Sequence, residues 1–70
     1  MMRRTKVDSS SVASIGYSEK TRTLEIEFLN GRIYQYFEVA VEAHEALMSA
    51  TSVGTYVNER IKGAYSYLQI

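Results

Sequence analysis

From Thr23 to Leu29 the chain reads TLEIEFL, so Leu24, Ile26 and Phe28 alternate with Thr23, Glu25 and Glu27. Alternation with a period of two marks a strand that buries one face and leaves the other in water. The run stops at Asn30-Gly31, two residues that tolerate positive φ and favour a hairpin turn. A strand over 32–39 then returns antiparallel to the first. Upstream, Ala13, Ile15 and Tyr17 alternate with Val12, Ser14 and Gly16, which predicts a strand over 11–17 that ends in the polar turn SEKTR.

The length of the hairpin loop decides which way Tyr34 and Tyr36 point. With a two-residue loop at Asn30-Gly31, Phe28 pairs with Ile33, Ile26 with Gln35 and Leu24 with Phe37. Leu24, Ile26, Phe28, Ile33 and Phe37 then share a core face, and the two tyrosines lie on an open face with Glu25, Glu27 and Arg32. With a three-residue loop, Leu29-Asn30-Gly31, closed by a glycine bulge, the register slips by one. Tyr34 and Tyr36 then join Leu24 and Ile26. Binary patterning favours the first register, because it separates apolar from polar side chains more completely.

After the hairpin the period changes. In 40–50, AVEAHEALMSA, the spacing of Ala43, Ala46, Leu47 and Ala50 forms one helical stripe of mostly small residues, suited to a close approach to the sheet. Ser52 is a good N-cap for a second helix over 53–62, whose stripe is Val53, Tyr56, Val57 and Ile61 and which Gly63 is placed to end. The tail AYSYLQI alternates again, with Tyr65, Tyr67 and Gln69 on one side, and is a candidate fourth strand. Residues 1–8, MMRRTKVD, show no periodicity and read as a flexible basic arm, leaving 9–70 as one domain. The expected fold is α+β: an antiparallel sheet of three to four strands with two short helices on one face.

Composition narrows the function. Seventy residues allow one domain, and one this small buries only about 60% of its unfolded surface. There is no cysteine, hence neither disulfide nor thiolate metal site. Eight basic and eight acidic side chains cancel, so there is no global positive excess of the kind that grips phosphates. No apolar run reaches the roughly 18 residues of a membrane span, and nothing apolar follows MMRRTK to act as a signal peptide. A cytoplasmic protein is expected.

The order of short motifs is similar to that of the KTSC domain, a family found at the C-terminus of some lysyl-tRNA synthetases and as small stand-alone bacterial proteins. The matching pieces are SVASIGY at 11–17, LEIEF at 24–28, Gly31, YQY at 34–36, Val39 and ATSVGTYVNERIKGAY at 50–65. The family usually carries proline where this chain has Ala40. That change removes a preset φ at a helix start but keeps a good helix former. The resemblance implies no defined activity; the synthetase connection suggests RNA.

His44 is the sole histidine, and the positions one turn further on hold Leu47 and Met48, which cannot complete a metal site. Glu25 and Glu27 share a strand face but, beside Arg32, lack the apolar pocket that a general acid needs. Ser9, Ser10 and Ser11 have no base at a diagnostic spacing. No catalytic residue, metal or cofactor is therefore assigned. The candidate binding residues are Tyr34 and Tyr36, whose rings can stack bases or pack against protein, with Arg32, Asn58, Arg60 and Lys62. Arg3, Arg4 and Lys6 are further phosphate contacts if RNA binds. The leading expectation is a non-catalytic protein-interaction module, with RNA contact as the alternative, and a monomer or weak homodimer as the assembly.

Overall fold

The computed structural model describes residues 3–70. Five strands form one antiparallel sheet in sequence order: β1 (Arg4–Lys6), β2 (Val12–Ser18), β3 (Thr23–Phe28), β4 (Ile33–Tyr36) and β5 (Tyr67–Gln69). The helices lie between β4 and β5: α1 (Val41–Met48) and α2 (Val53–Tyr56), the latter continued without a break by a π-helical turn, Val57–Ile61. The architecture is the α+β fold expected, with five strands rather than three to four. One addition comes from the segment expected to be a loose arm: Arg4–Lys6 pairs with β2, Thr5 opposite Ile15. Nothing in RTK signals a strand, because its partners come from elsewhere in the chain. Met1 and Met2 lie outside the described residues.

The β3–β4 hairpin has the three-residue loop, which overturns the register that patterning favours. Leu24 pairs with Tyr36 and Ile26 with Tyr34, and the Phe28 N–H donates to the Arg32 carbonyl at 2.9 Å. Gly31, at φ 91°, takes the left-handed bulge position and donates its N–H to the Phe28 carbonyl at 3.0 Å. Asn30 stabilises the bend differently from a two-residue turn: its Oδ1 accepts from the Arg32 N–H at 2.9 Å. Tyr34 and Tyr36 therefore share the helix-covered face with Leu24, Ile26 and Phe28. Glu25, Glu27, Ile33 and Gln35 share the open one.

A second irregularity corrects the first predicted strand. Val12 pairs with Phe28 but Ser14 with Glu27, so Ala13 is the extra residue of a β-bulge. The bulge changes parity and turns Val12 to the same side as Ile15 and Tyr17. The core that results is Val12, Ile15, Leu24, Ile26, Tyr36, Val39, Leu47, Val57 and Ile61. Of the alanine stripe expected on α1, Ala43 packs against this cluster while Ala46 is exposed, and Leu47 is the buried residue of the helix. Ser52 caps α2 as expected, its Oγ accepting from the Thr55 N–H at 3.3 Å.

On the open face, neighbouring side chains cover the carboxylates. Glu25 is 6% exposed; it pairs with Arg4 at 3.1 Å and accepts from Gln35 Nε2 at 2.9 Å. Glu27 accepts from Ser14 Oγ at 2.8 Å. On the other face α1 is tied to β2 by Tyr17, whose hydroxyl donates to the Val39 carbonyl and whose ring stacks on His44 with centroids 4.6 Å apart. Burial is the main influence on His44 and holds its imidazole below the usual histidine range, against a smaller opposing pull from Glu45.

Two predictions follow from these contacts. A Cβ at Gly31 would meet nothing within 4 Å, so Gly31→Ala tests backbone conformation alone. It should destabilise by about 1 kcal/mol and lower the thermal midpoint by roughly 4–8 °C. For His44 the folded imidazole binds its proton less readily than the unfolded one, so stability is full above the ordinary histidine pKa and declines as pH falls below it. Urea midpoints measured from pH 7.5 to 5.5 should fall in the wild type and fall less in His44→Gln.

Candidate functional site

The corrected register assembles a groove at the end of the helix-covered face, with a volume of about 480 Å³. Its floor and walls are aromatic. Phe28 closes β3, Tyr34 and Tyr36 come from β4, and Tyr67 stands directly opposite Tyr36 on β5. The rings form a connected set: Phe28 meets Tyr34 edge-on at 5.7 Å, Tyr34 lies 6.4 Å from Tyr36, and Tyr67 lies 5.7 Å from Tyr34 and 5.9 Å from Tyr36. Exposure is graded across it. Tyr36 is 3% exposed at the base and Tyr67 is 60% exposed at the rim, with Phe28 and Tyr34 half-buried between them. Burial, and then the neighbouring Tyr34 and Tyr67, push the Tyr36 phenol above the usual tyrosine range.

Two cations and an amide complete the lining. Arg32 and Asn30 come from the hairpin loop and its exit, and Lys62 and Gly63 from the end of the helical segment. The π turn matters for Lys62: its N–H donates to the Val57 carbonyl at 2.8 Å, five residues back, and the chain then leaves the helix. The ammonium comes to rest 5.0 Å from the Phe28 ring centroid, a cation–π contact. Among the described residues no carboxylate lines the groove. The expectation that Glu25 and Glu27 flank the tyrosines fails, since both lie on the opposite side of the sheet.

Of the residues singled out from sequence, Tyr34, Tyr36, Arg32 and Lys62 converge here. Asn58 and Arg60 do not: both are exposed on the π turn, and Arg60 borders a separate depression with Ser52 and Thr55. Arg4 and Lys6 sit on the open face, paired across from Gly16 and Ser14, away from the groove. At the start of α2 the Thr55 N–H is taken by the Ser52 side chain, and Gly54 lies close against Ser11. Phe28 and Tyr67 were not anticipated as site residues. The alternation of the tail places Tyr67 on a strand face, but only the three-residue loop puts that face beside Tyr34. Among the described residues no three of His, Cys, Asp or Glu gather as a metal site would require, and no helix is long and apolar enough to cross a membrane.

Comparison with known proteins follows the same segments. The family model described as the KTSC domain matches residues 8–65. An uncharacterized protein of Stutzerimonas stutzeri is 39% identical over 70 residues, 99% of either chain. A lysine–tRNA ligase of Nostoc punctiforme is 38% identical over 65 residues, and the match spans 93% of this chain but 12% of the ligase. The crystal structure of a KTSC domain protein from Yersinia pestis superposes with a TM-score of 0.94 at 42% identity, covering 100% of this chain and 99% of that one. Motif order, sheet topology and these matches agree, and the chain belongs to the KTSC domain family.

Proposed function

We propose that the domain is a non-catalytic accessory module that contacts RNA, holding unpaired bases in the groove between β4, β5 and the end of the helical segment. The observation that carries this reading is the lining itself: four aromatic rings, each touching at least one other, two cations and, among the described residues, no carboxylate. Rings at graded depth accept the faces of bases with little sequence demand, and Arg32 and Lys62 are placed for the adjoining phosphates. The two strand carboxylates do not oppose it, because buried Glu25 engages Arg4 and Gln35, and half-buried Glu27 engages Ser14, on the far face. The kinship with a segment of lysine–tRNA ligases supports an RNA setting without extending the ligases' activity to this chain. A cytoplasmic setting belongs to the same proposal. Protein contact is the second reading, and it rests on different residues: Leu29, Leu68 and Ile70 are 59%, 55% and 57% exposed.

An NMR titration of the isotope-labelled domain with a single-stranded RNA octamer, run at two salt concentrations, tests the proposal. Shifts should centre on Phe28, Tyr34, Tyr67 and Lys62 and weaken as salt rises. Tyr67→Ala removes a rim ring and should cost about 1–3 kcal/mol of binding, roughly five- to 150-fold, with little loss of stability. Lys62→Ala should lower the slope of log K against log salt by about 0.7. An octamer that leaves these residues unshifted at low salt contradicts the reading.

A further inference from the structure

Among the described residues β5 forms an outer edge of the sheet. Its pairing with β4 places Gln35 opposite Leu68, and the flanking bonds, Phe37 N–H to the Ser66 carbonyl and Ile70 N–H to the Ile33 carbonyl, are both 2.9 Å. In an antiparallel ladder, bonded and non-bonded pairs alternate. Ser66, Leu68 and Ile70 therefore turn their peptide groups toward β4, and Tyr67 and Gln69 turn theirs outward. The two sheet edges differ in protection. At β1, Arg4 and Lys6 charge the edge, whereas 64–70 holds no charged residue and no proline, and β5 shows no bulge. Tyr67, Leu68 and Ile70 are also 60%, 55% and 57% exposed.

We infer that this edge pairs with β5 of a second copy of the chain, antiparallel about a twofold axis through Leu68. The outward peptide groups sit at 67 and 69, on either side of the axis, so the edge is complementary to itself. Tyr67 of one copy faces Gln69 of the other, twice over, and the two pairs exchange four backbone hydrogen bonds. Leu68 meets Leu68 of the second copy as a non-bonded pair, the closer of the two kinds, on the face away from the helices. Self-pairing brings the two edges' like charges together and so penalises a charged edge; residues 66–70 carry no charged side chain. The product is a continuous ten-stranded sheet, with both copies' helices on one side and both grooves meeting at the joint.

Sedimentation equilibrium across micromolar to millimolar concentrations reads the assembly directly, against a chain mass of 8.0 kDa. The mass should approach twice that value as concentration rises, and amide exchange at Tyr67 and Gln69 should slow in step. Leu68→Lys places two like charges face to face at the axis, outside the groove, and should weaken association by at least about tenfold. Its circular dichroism and thermal midpoint at low concentration should match the wild type. A wild type that stays at the monomer mass at millimolar concentration overturns the inference. So does a dimer that survives Leu68→Lys, or one that leaves Tyr67 and Gln69 unprotected. RNA binding by the monomeric variant would leave the groove's reading intact, and its absence in a dimeric wild type would leave the edge's reading intact.

Discussion

The turn at Leu29-Asn30-Gly31 governs the molecule, because side chains alternate along a strand and one residue more or less in the loop exchanges the two faces of everything after it. Gly31 at φ 91° and the Asn30 side chain bonded to the Arg32 N–H settle that parity. Once β4 is threaded this way, Tyr36 is sealed into the core and β5 inherits the same face for Tyr67. Threaded the other way, the rings would stand among Glu25 and Glu27, and the aromatic groove would not exist.

The helices do not cover the whole of their face. Leu47, Val57 and Ile61 are buried with Val12, Ile15, Leu24 and Ile26, while Phe28 and Tyr34 are only half-buried and Tyr67 is exposed. What lies over that end is the exit from the helical segment, where the π turn adds a residue to the last winding and directs Lys62 onto Phe28. The opposite face solves a different problem. With no layer above it, it shields its carboxylates by pairing them sideways along the sheet, Arg4 to Glu25 to Gln35 and Ser14 to Glu27. The strand carboxylates Glu25 and Glu27 are thereby engaged on the open face, away from the rings, Arg32 and Lys62 of the groove.

Much of this was legible in the residues. The alternation of β3, the Asn30-Gly31 turn, the Ser52 cap, the Gly63 stop and the order of motifs all point to the observed α+β fold. The register did not follow, because Asn-Gly is compatible with loops of two or three residues and patterning treated tyrosine as a surface residue, whereas Tyr36 is a core residue. The bulge at Ala13 and the strand Arg4–Lys6 were also beyond reach, since each depends on a partner strand rather than on local preference. Four of the six candidate binding residues converge. Asn58 and Arg60 do not: the four-residue spacing that puts Asn58 on one face with Lys62 assumes an α-helix where the chain winds as a π turn, and Arg60, chosen for its charge, borders a separate depression. Phe28 and Tyr67 join the site only through pairings distant in sequence.

Hα–Hα nuclear Overhauser contacts across the hairpin test the register itself. Close Hα atoms mark non-bonded antiparallel pairs. The account predicts strong contacts between Glu25 and Gln35 and between Glu27 and Ile33. Contacts between Ile26 and Gln35 and between Phe28 and Ile33 in their place would contradict it.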